Sequence, residues 1–525
     1  MVEQEAARHP AKAENSATAP LRVAMTVIGG TDTARMTTHL QGCRSHRTVH
    51  RQTACFSQRK VRISNSPEPV ADCTIGRMQL RYSPLVIRLA SAAAAIMRRS
   101  FQLTSSYVLA GLFSIASMAI VMGSAVAEPQ QKIYSEADEA LYRERFERLR
   151  EPASGGGLDA YDTLKNVEGA AQTAPLRMAK IPRISPAAIE KATDYAAAMN
   201  SVALLIWHDG LIQAARYFGD TTPATPLVSR SLAKPLSVIA VGRAIREGHI
   251  RSLDGSAASY FREWRGAPKA AIRIRHLLDM RSGLLRQAPA TALDDVLNRA
   301  YLHPRHDEVL INDYPLTHEP GSRYEYSNAN AELIAPLIER ATGAEYEDWV
   351  SQEVLAPLGA PGGQVWMNRE GGTAHAGCCW LLPAETWLRL AILLINDGAI
   401  NGRRLLPDDF VRKMSTATPQ NPHAGMGVYV AGHYVKGRGA ANPDRDVGET
   451  LHSEPYLAHD LFLFDGNSNQ VIYIVPSARL VVARLGSRPP AGAEWDNAYL
   501  INTVLKGLDE EIRERLQPQA GAATQ

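Results

Sequence analysis

The chain has 525 residues, 45% of them hydrophobic and 21% charged, and a formal charge of +3. This is the balance of a folded globular protein, not of a disordered or collagenous one, and the length leaves room for more than one domain. The charge is unevenly spread: residues 1–96 carry 13 Lys and Arg against 6 Asp and Glu, whereas residues 128–525 carry 42 against 48. The bulk of the chain is acidic, which excludes a general nucleic-acid binder with its basic footprint.

Residues 1–96 show no sustained helical or strand period. They are expected to be an unstructured leader, or to lie upstream of a natural start at Met97. From Met97 the sequence runs through Arg98 and Arg99 into an uncharged apolar stretch that closes on Ala125-Val126-Ala127. That order of basic, apolar and small residues is a secretory signal segment. Cleavage after Ala127 would release a periplasmic or secreted chain starting at Glu128; left uncleaved, residues 105–127 would anchor it in a membrane. Residues 128–190 then read as a lead-in segment with a charged helical stretch near Glu136 to Arg150.

The run Ser201 to His208, the Asp209-Gly210 turn and the following LIQAARYF predict a β-hairpin. Helical spacing follows at Ser231–Glu247, Ile274–Met280, Ala331–Thr342, Glu347–Leu355, Ala384–Asn396 and Pro407–Met414. Strand signals return at Met426–Tyr434, Asp460–Phe464, Gln470–Val475 and Leu480–Leu485, and a helix closes the chain over Trp495–Leu508. Strands at both ends with helices between predict an α+β fold. Its antiparallel sheet would be built from both ends of the mature chain and flanked by helices, with a mostly helical inserted subdomain. The domain would span 191–510, with a disordered tail over 511–525.

Ser231-Leu232-Ala233-Lys234 is an S-x-x-K tetrad at the start of a predicted helix. Positions i and i+3 share a helix face, so the amine can approach the hydroxyl. A desolvated lysine of lowered pKa can take the serine proton, and helix N-terminal amides favour the developing anion. The tetrad alone is weak, since Ser57-Gln58-Arg59-Lys60 also matches and a serine here could simply cap the helix. A second element, Tyr326-Ser327-Asn328, puts a phenol and an amide at the mouth of another helix. The phenol can relay a proton; the plain alternative is a turn tyrosine with a capping asparagine.

The succession of hairpin, SLAK, IRHLLDMRSGL (274–284), EPGSRYEYSNAN (319–330) and a late pair of apolar strands resembles the serine β-lactamase-like superfamily. That superfamily includes class C β-lactamases, D-Ala-D-Ala peptidases and carboxylesterases. The stretches Ile274–Leu284 and Gly377-Cys378-Cys379 are most similar to the 6-aminohexanoate-dimer hydrolase branch. The resemblance implies Ser231 as acylated nucleophile, Lys234 as its base, Tyr326 as proton relay and Asn328 lining the site. It also implies a third motif at Phe464-Asp465-Gly466-Asn467, with Asp465, Gly466 and Asn467 facing substrate and the amides of Ser231 and Asn467 as oxyanion hole. The usual cation of that motif is replaced by Phe464, and Asp465 would repel a carboxylate, which turns the reading away from penicillins. Pro235 departs from a regular helix and risks a kink.

The expected activity is therefore an exported serine hydrolase for a small-molecule ester or amide, with the amidase favoured. A carboxylesterase and a non-catalytic binder of cell-wall peptide are the alternatives. Neither cofactor nor metal is called for. No G-x-S-x-G elbow or phosphate loop is present. His303 with His306, and His452 with His459, lack the carboxylate partners and helical spacing of a zinc protease, and His459-Asp460 reads as a strand-end pair. Cys378 and Cys379 are expected to be two unbridged buried hydrophobes.

Overall fold

A computed structural model describes residues 25–29, 32–36, 134–150, 162–288, 290–439 and 449–516. The signal segment, the Ser57–Lys60 tetrad and residues 517–525 lie outside these. Met25–Gly29 pairs antiparallel with Asp32–Met36, a short hairpin where the sequence suggests no element. It belongs to a separate unit from the body described next.

The body is built on six antiparallel strands in the order Tyr429–Val430, Phe462–Gly466, Gln470–Val475, Leu480–Gly486, Ser201–His208 and Leu211–Tyr217. Early and late parts of the sequence meet where Leu480–Gly486 pairs with Ser201–His208. Because successive side chains point to opposite faces, each strand feeds two cores. Ala203, Leu205 and Trp207 pack with Ile472, Val481 and the apolar face of helix Ala233–Arg246. Leu204 and Ile206 pack with Tyr473, Val482 and the helices Pro186–Ala198 and Tyr499–Lys506. Each such buried side chain contributes roughly 1.5–3 kcal/mol. Among the described residues no helix is long and apolar enough to cross a membrane.

Several elements differ from the sequence expectation. The lead-in is part of the body: helix Glu136–Arg150 buries Tyr142, Arg145 and Phe146, and Leu164–Val167 is a strand. That strand opens a second sheet, in the order Leu164–Val167, Gly363–Trp366, Trp380–Leu382 and Leu227–Val228, so the inserted region is not purely helical. Strands of two to four residues are too short to display a period. Helix Pro186–Ala198, capped by Ser185 and started by Pro186, carried its signal in that Ser-Pro pair. The expected strand Met426–Tyr434 shrinks to Tyr429–Val430 because Gly427 and Gly432 take positive φ on either side. Residues 511–516 are not a disordered tail, since Ile512 and Leu516 are buried in the second core.

Arg484, fully buried, ties this architecture to the third motif. Its guanidinium donates to Ser201 Oγ (2.8 Å), to the carbonyls of Ser468 (2.8 Å), Asn469 (2.9 Å) and Ser487 (2.9 Å), and to Met199. Ser468 and Asn469 hold φ of +68° and +58°, conformations that non-glycine residues adopt only when the surroundings impose them. We predict that Arg484→Met, which strands these acceptors, lowers the urea unfolding free energy by at least about 3 kcal/mol. Arg484→Lys should recover only part of the loss, because an ammonium cannot span five acceptors.

Candidate active site

Ser231 is the central residue of a single 3₁₀ turn, Arg230–Leu232, that runs directly into helix Ala233–Arg246. Arg230 sits at φ +51° and swings the chain out of strand Leu227–Val228. Ser231 does not cap the helix. Its Oγ lies 2.8 Å from the Tyr326 hydroxyl and 3.0 Å from Lys234 Nζ. Pro235 is the third helical residue, in the first turn, where a backbone N–H would lack an intrahelical acceptor. The feared kink does not arise.

Lys234 is 5% exposed, and desolvation draws its pKa down to about 8 against the opposing pull of Glu332. Its Nζ is also 3.0 Å from Asn328 Oδ1 and 3.0 Å from the Gly377 carbonyl. Both groups only accept from it, and a neutral amine has two N–H donors and one lone pair. As an ammonium Lys234 donates to all three oxygens; when it loses a proton, the two carbonyl oxygens keep the two remaining donors and the lone pair turns to the Ser231 hydroxyl. Burial raises the Tyr326 phenol above its ordinary value, opposed by the Ser231 hydrogen bond, so it is a proton donor at neutral pH.

Asn328 opens the short helix Asn328–Glu332, which also delivers Glu332, 1% exposed, behind the lysine. Glu332 Oε2 accepts the Ala376 amide at 2.9 Å and so fixes the segment whose next carbonyl holds Lys234. Gly377 leaves room for it: a Cβ there would come within 2.8 Å of Glu332 Oε1. Gly427 makes a similar allowance, since its Cβ would meet Val238 Cγ2 at 2.7 Å. These supports were not visible in the sequence, apart from Gly377 in the family-like stretch.

The third motif strand, Phe462–Gly466, runs beside the Ser231 turn. A Cβ on Gly466 would stand 3.3 Å from the Leu232 amide nitrogen and the Ser229 carbonyl oxygen and 3.4 Å from the Ser231 amide nitrogen, so the strand lies close against this turn. Asp465 lines the pocket together with Ser231, Lys234, Tyr326, Tyr324 and Tyr429. Asn467 begins the following turn, its side chain accepting from the Ser468 amide at 2.6 Å, outside the pocket lining. Asp465 is not a lone negative charge, because it is ion-paired with Arg438. The pocket has a free volume of about 20 Å³, enough for a water.

Two expectations are corrected. Cys378 and Cys379 are bonded to each other, with Cys379 at positive φ and Tyr301 Oη 3.5 and 3.4 Å from their sulfurs. His303 and His306 do have carboxylate neighbours, Glu139 at 3.6 Å and Glu332 at 3.8 Å. Glu332 also lies 3.4 Å from His375, and the three form a buried cluster. The rings of His306 and His375 are stacked 4.3 Å apart at 7°, so as placed they cannot both aim an in-plane lone pair at one ion. His452 contacts the Tyr456 hydroxyl at 3.0 Å and His459 the Leu516 carbonyl at 2.9 Å, while Asp460 holds Ser477.

Known proteins resemble this chain in fold and in part of its sequence. A solved structure described as a 6-aminohexanoate-dimer hydrolase from Bacillus anthracis superposes with a TM-score of 0.52 at 19% identity, covering 70% of this chain and 96% of that one. D-aminopeptidases match over shorter spans. The Brucella canis protein is 28% identical over 137 residues, 26% of each chain. The Brucella anthropi protein is 28% identical over 156 residues, 28% of this chain and 29% of its own. The chain thus matches little more than a quarter of these curated relatives' length. The Beta-lactamase family profile matches residues 187–505, from the helix that opens the sheet to the one that closes it. With well over half of its length so matched, the chain belongs to the Beta-lactamase family.

Proposed function

We propose that the protein is a serine hydrolase that cleaves an amide bond through an acyl-enzyme on Ser231, in the manner suggested by the 6-aminohexanoate-dimer hydrolase likeness. The observation that carries this reading is the convergence of Ser231, Lys234 and Tyr326 within hydrogen-bond reach of one another. The neutral Lys234 amine takes the Oγ proton as Oγ attacks the carbonyl carbon. The resulting oxyanion sits toward the Ser231 amide, beside Gly466. Collapse breaks the C–N bond, and the leaving amine takes a proton from the Lys234 ammonium through the Tyr326 hydroxyl. Water, activated by the same amine, then releases the acid and restores Ser231. Export follows from the Met97–Ala127 signal pattern, and N-terminal sequencing of the natural protein tests it, with Glu128 the expected first residue.

A fluorophosphonate probe should label the wild type and leave Ser231→Ala unlabelled; equal labelling removes Ser231 from the mechanism. A non-catalytic peptide binder would not label at all. Turnover of a short linear p-nitroanilide against p-nitrophenyl acetate separates an amidase from a carboxylesterase, and measurable anilide hydrolysis is expected. Lys234→Ala and Tyr326→Phe should each lower kcat by about a hundredfold or more. Because the reactive form of Lys234 is the unprotonated amine, kcat/KM should climb with pH and level off above about 8. Asn328→Asp, which sets a carboxylate beside Nζ, stabilises the ammonium and should move that limb upward by about a unit; an unmoved limb assigns the titration to another group.

A further inference from the structure

The segment Ala376 to Trp380 supports both Ser231 and Lys234. At its start the Ala376 amide donates to Glu332 at 2.9 Å, the Ala376 carbonyl accepts from Ser237 Oγ at 2.7 Å, and the Gly377 carbonyl accepts from Lys234 Nζ at 3.0 Å. At its end Trp380 is bonded twice to Ser229, two residues before Ser231. The Ser229 amide donates to the Trp380 carbonyl at 2.7 Å, and the Trp380 amide donates to Ser229 Oγ at 3.1 Å. Between these two anchorages lie only Cys378 and Cys379, whose sulfurs are bonded to each other.

Cys379 is fully buried at φ +69°, with its carbonyl accepting from the Trp366 amide at 3.1 Å. A residue with a side chain keeps such a backbone only where its surroundings impose it, and a bond between neighbouring side chains closes a small ring that does so. Cys378 is only partly buried, so a reagent can approach the bond from that end. The Tyr301 hydroxyl stands 3.5 and 3.4 Å from the two sulfurs, where it can pass a proton to a departing thiolate. Neither cysteine is among the residues that line the Ser231 pocket.

Resting on the serine-hydrolase reading above, we infer that the Cys378–Cys379 bond positions the Gly377 carbonyl on Lys234, and that a dithiol reductant switches the enzyme to a slow state by opening it. A thiolate of the reductant attacks Cys378 Sγ, and the S–S electron pair leaves on Cys379 Sγ, which takes a solvent proton through Tyr301. The second thiol of the reductant then displaces Cys378 as a thiol. Two electrons and two protons pass to the protein, and the dithiol leaves as its own disulfide. With the ring open, Cys379 is free to leave positive φ and the Gly377 carbonyl moves off Nζ. The neutral amine then lacks one of the two acceptors that aim its lone pair at Ser231. Because the pocket lining is untouched, the loss falls on kcat and not on KM.

The test compares the oxidised full chain with the same protein reduced by dithiothreitol, freed of reagent and kept anaerobic. Double alkylation of the peptide carrying Cys378 and Cys379 verifies the opening. On p-nitrophenyl acetate the reduced protein should lose at least about tenfold in kcat, because small misplacements of a catalytic group are costly. Its KM should stay within about twofold, and reoxidation should restore the rate. Cys378→Ser/Cys379→Ser should match the reduced protein and ignore dithiothreitol, which separates this bond from the other three cysteines. If that variant folds poorly, the reversible reduction of the wild type decides alone. A kcat that holds within about twofold once both cysteines are alkylated, or a loss confined to KM, overturns the positioning role. A bond that stays closed in the native protein contradicts the switch. Failure of fluorophosphonate labelling in the oxidised protein would count instead against Ser231 chemistry. The ¹³Cε resonance of Lys234 then judges the bond: it should move on reduction and return on reoxidation, and an unmoved resonance contradicts the inference.

Discussion

The site depends on a lysine amine kept out of water. In bulk solvent an amine with its ordinary pKa is almost wholly protonated at neutral pH and has no lone pair to offer. Here burial on the first turn of helix Ala233–Arg246 penalises the charge, and two oxygen acceptors, Asn328 Oδ1 and the Gly377 carbonyl, take the two hydrogens that the neutral form retains. Burial eases the loss of the third proton, and once it is lost the lone pair faces Ser231. Glu332 sets a limit on this effect from behind, because its carboxylate favours the ammonium. It also secures the Ala376–Gly377 segment on which the arrangement relies.

Around that amine the fold brings together pieces that are far apart in sequence. Tyr326 and Asn328 arrive from about a hundred residues downstream of Lys234, and the Gly466 strand from well beyond that. Small residues make the approach possible: Gly377 clears Glu332 and Gly427 clears helix Ala233–Arg246. Arg484 pins the turn after Gly466 to the ends of two central strands. The buried charges thus have separate structural tasks. One cation braces a turn, one neutralises an aspartate at the pocket wall, and one is held ready to lose its proton.

The parts of this arrangement that repeat along the chain were legible in the sequence. The Ser201–His208 hairpin, the Gln470–Val475 strand and helix Ala384–Ile395 carry clear periods and appear within a residue of their expected bounds. The Ser231, Lys234 and Tyr326 side chains were found through spacing and family likeness, and the structure brings them together. Contacts between unlike, non-periodic positions were not legible. Glu332 reads as an ordinary helical acid, and Arg438 as a surface cation between glycines. The two- to four-residue strands of the second sheet offer no pattern to detect. The Cys378–Cys379 bond depends on local backbone conformation, with Cys379 at φ +69°, which residue type alone does not reveal.

The most direct measurement is the titration of Lys234 itself, followed by the ¹³Cε resonance of selectively labelled lysine and assigned by its disappearance in Lys234→Arg. A midpoint close to 8 is predicted from the desolvated, twice-accepted amine. A midpoint at or above the ordinary lysine value of about 10.4 would mean that the amine stays protonated where the enzyme works, and would contradict its role as the base.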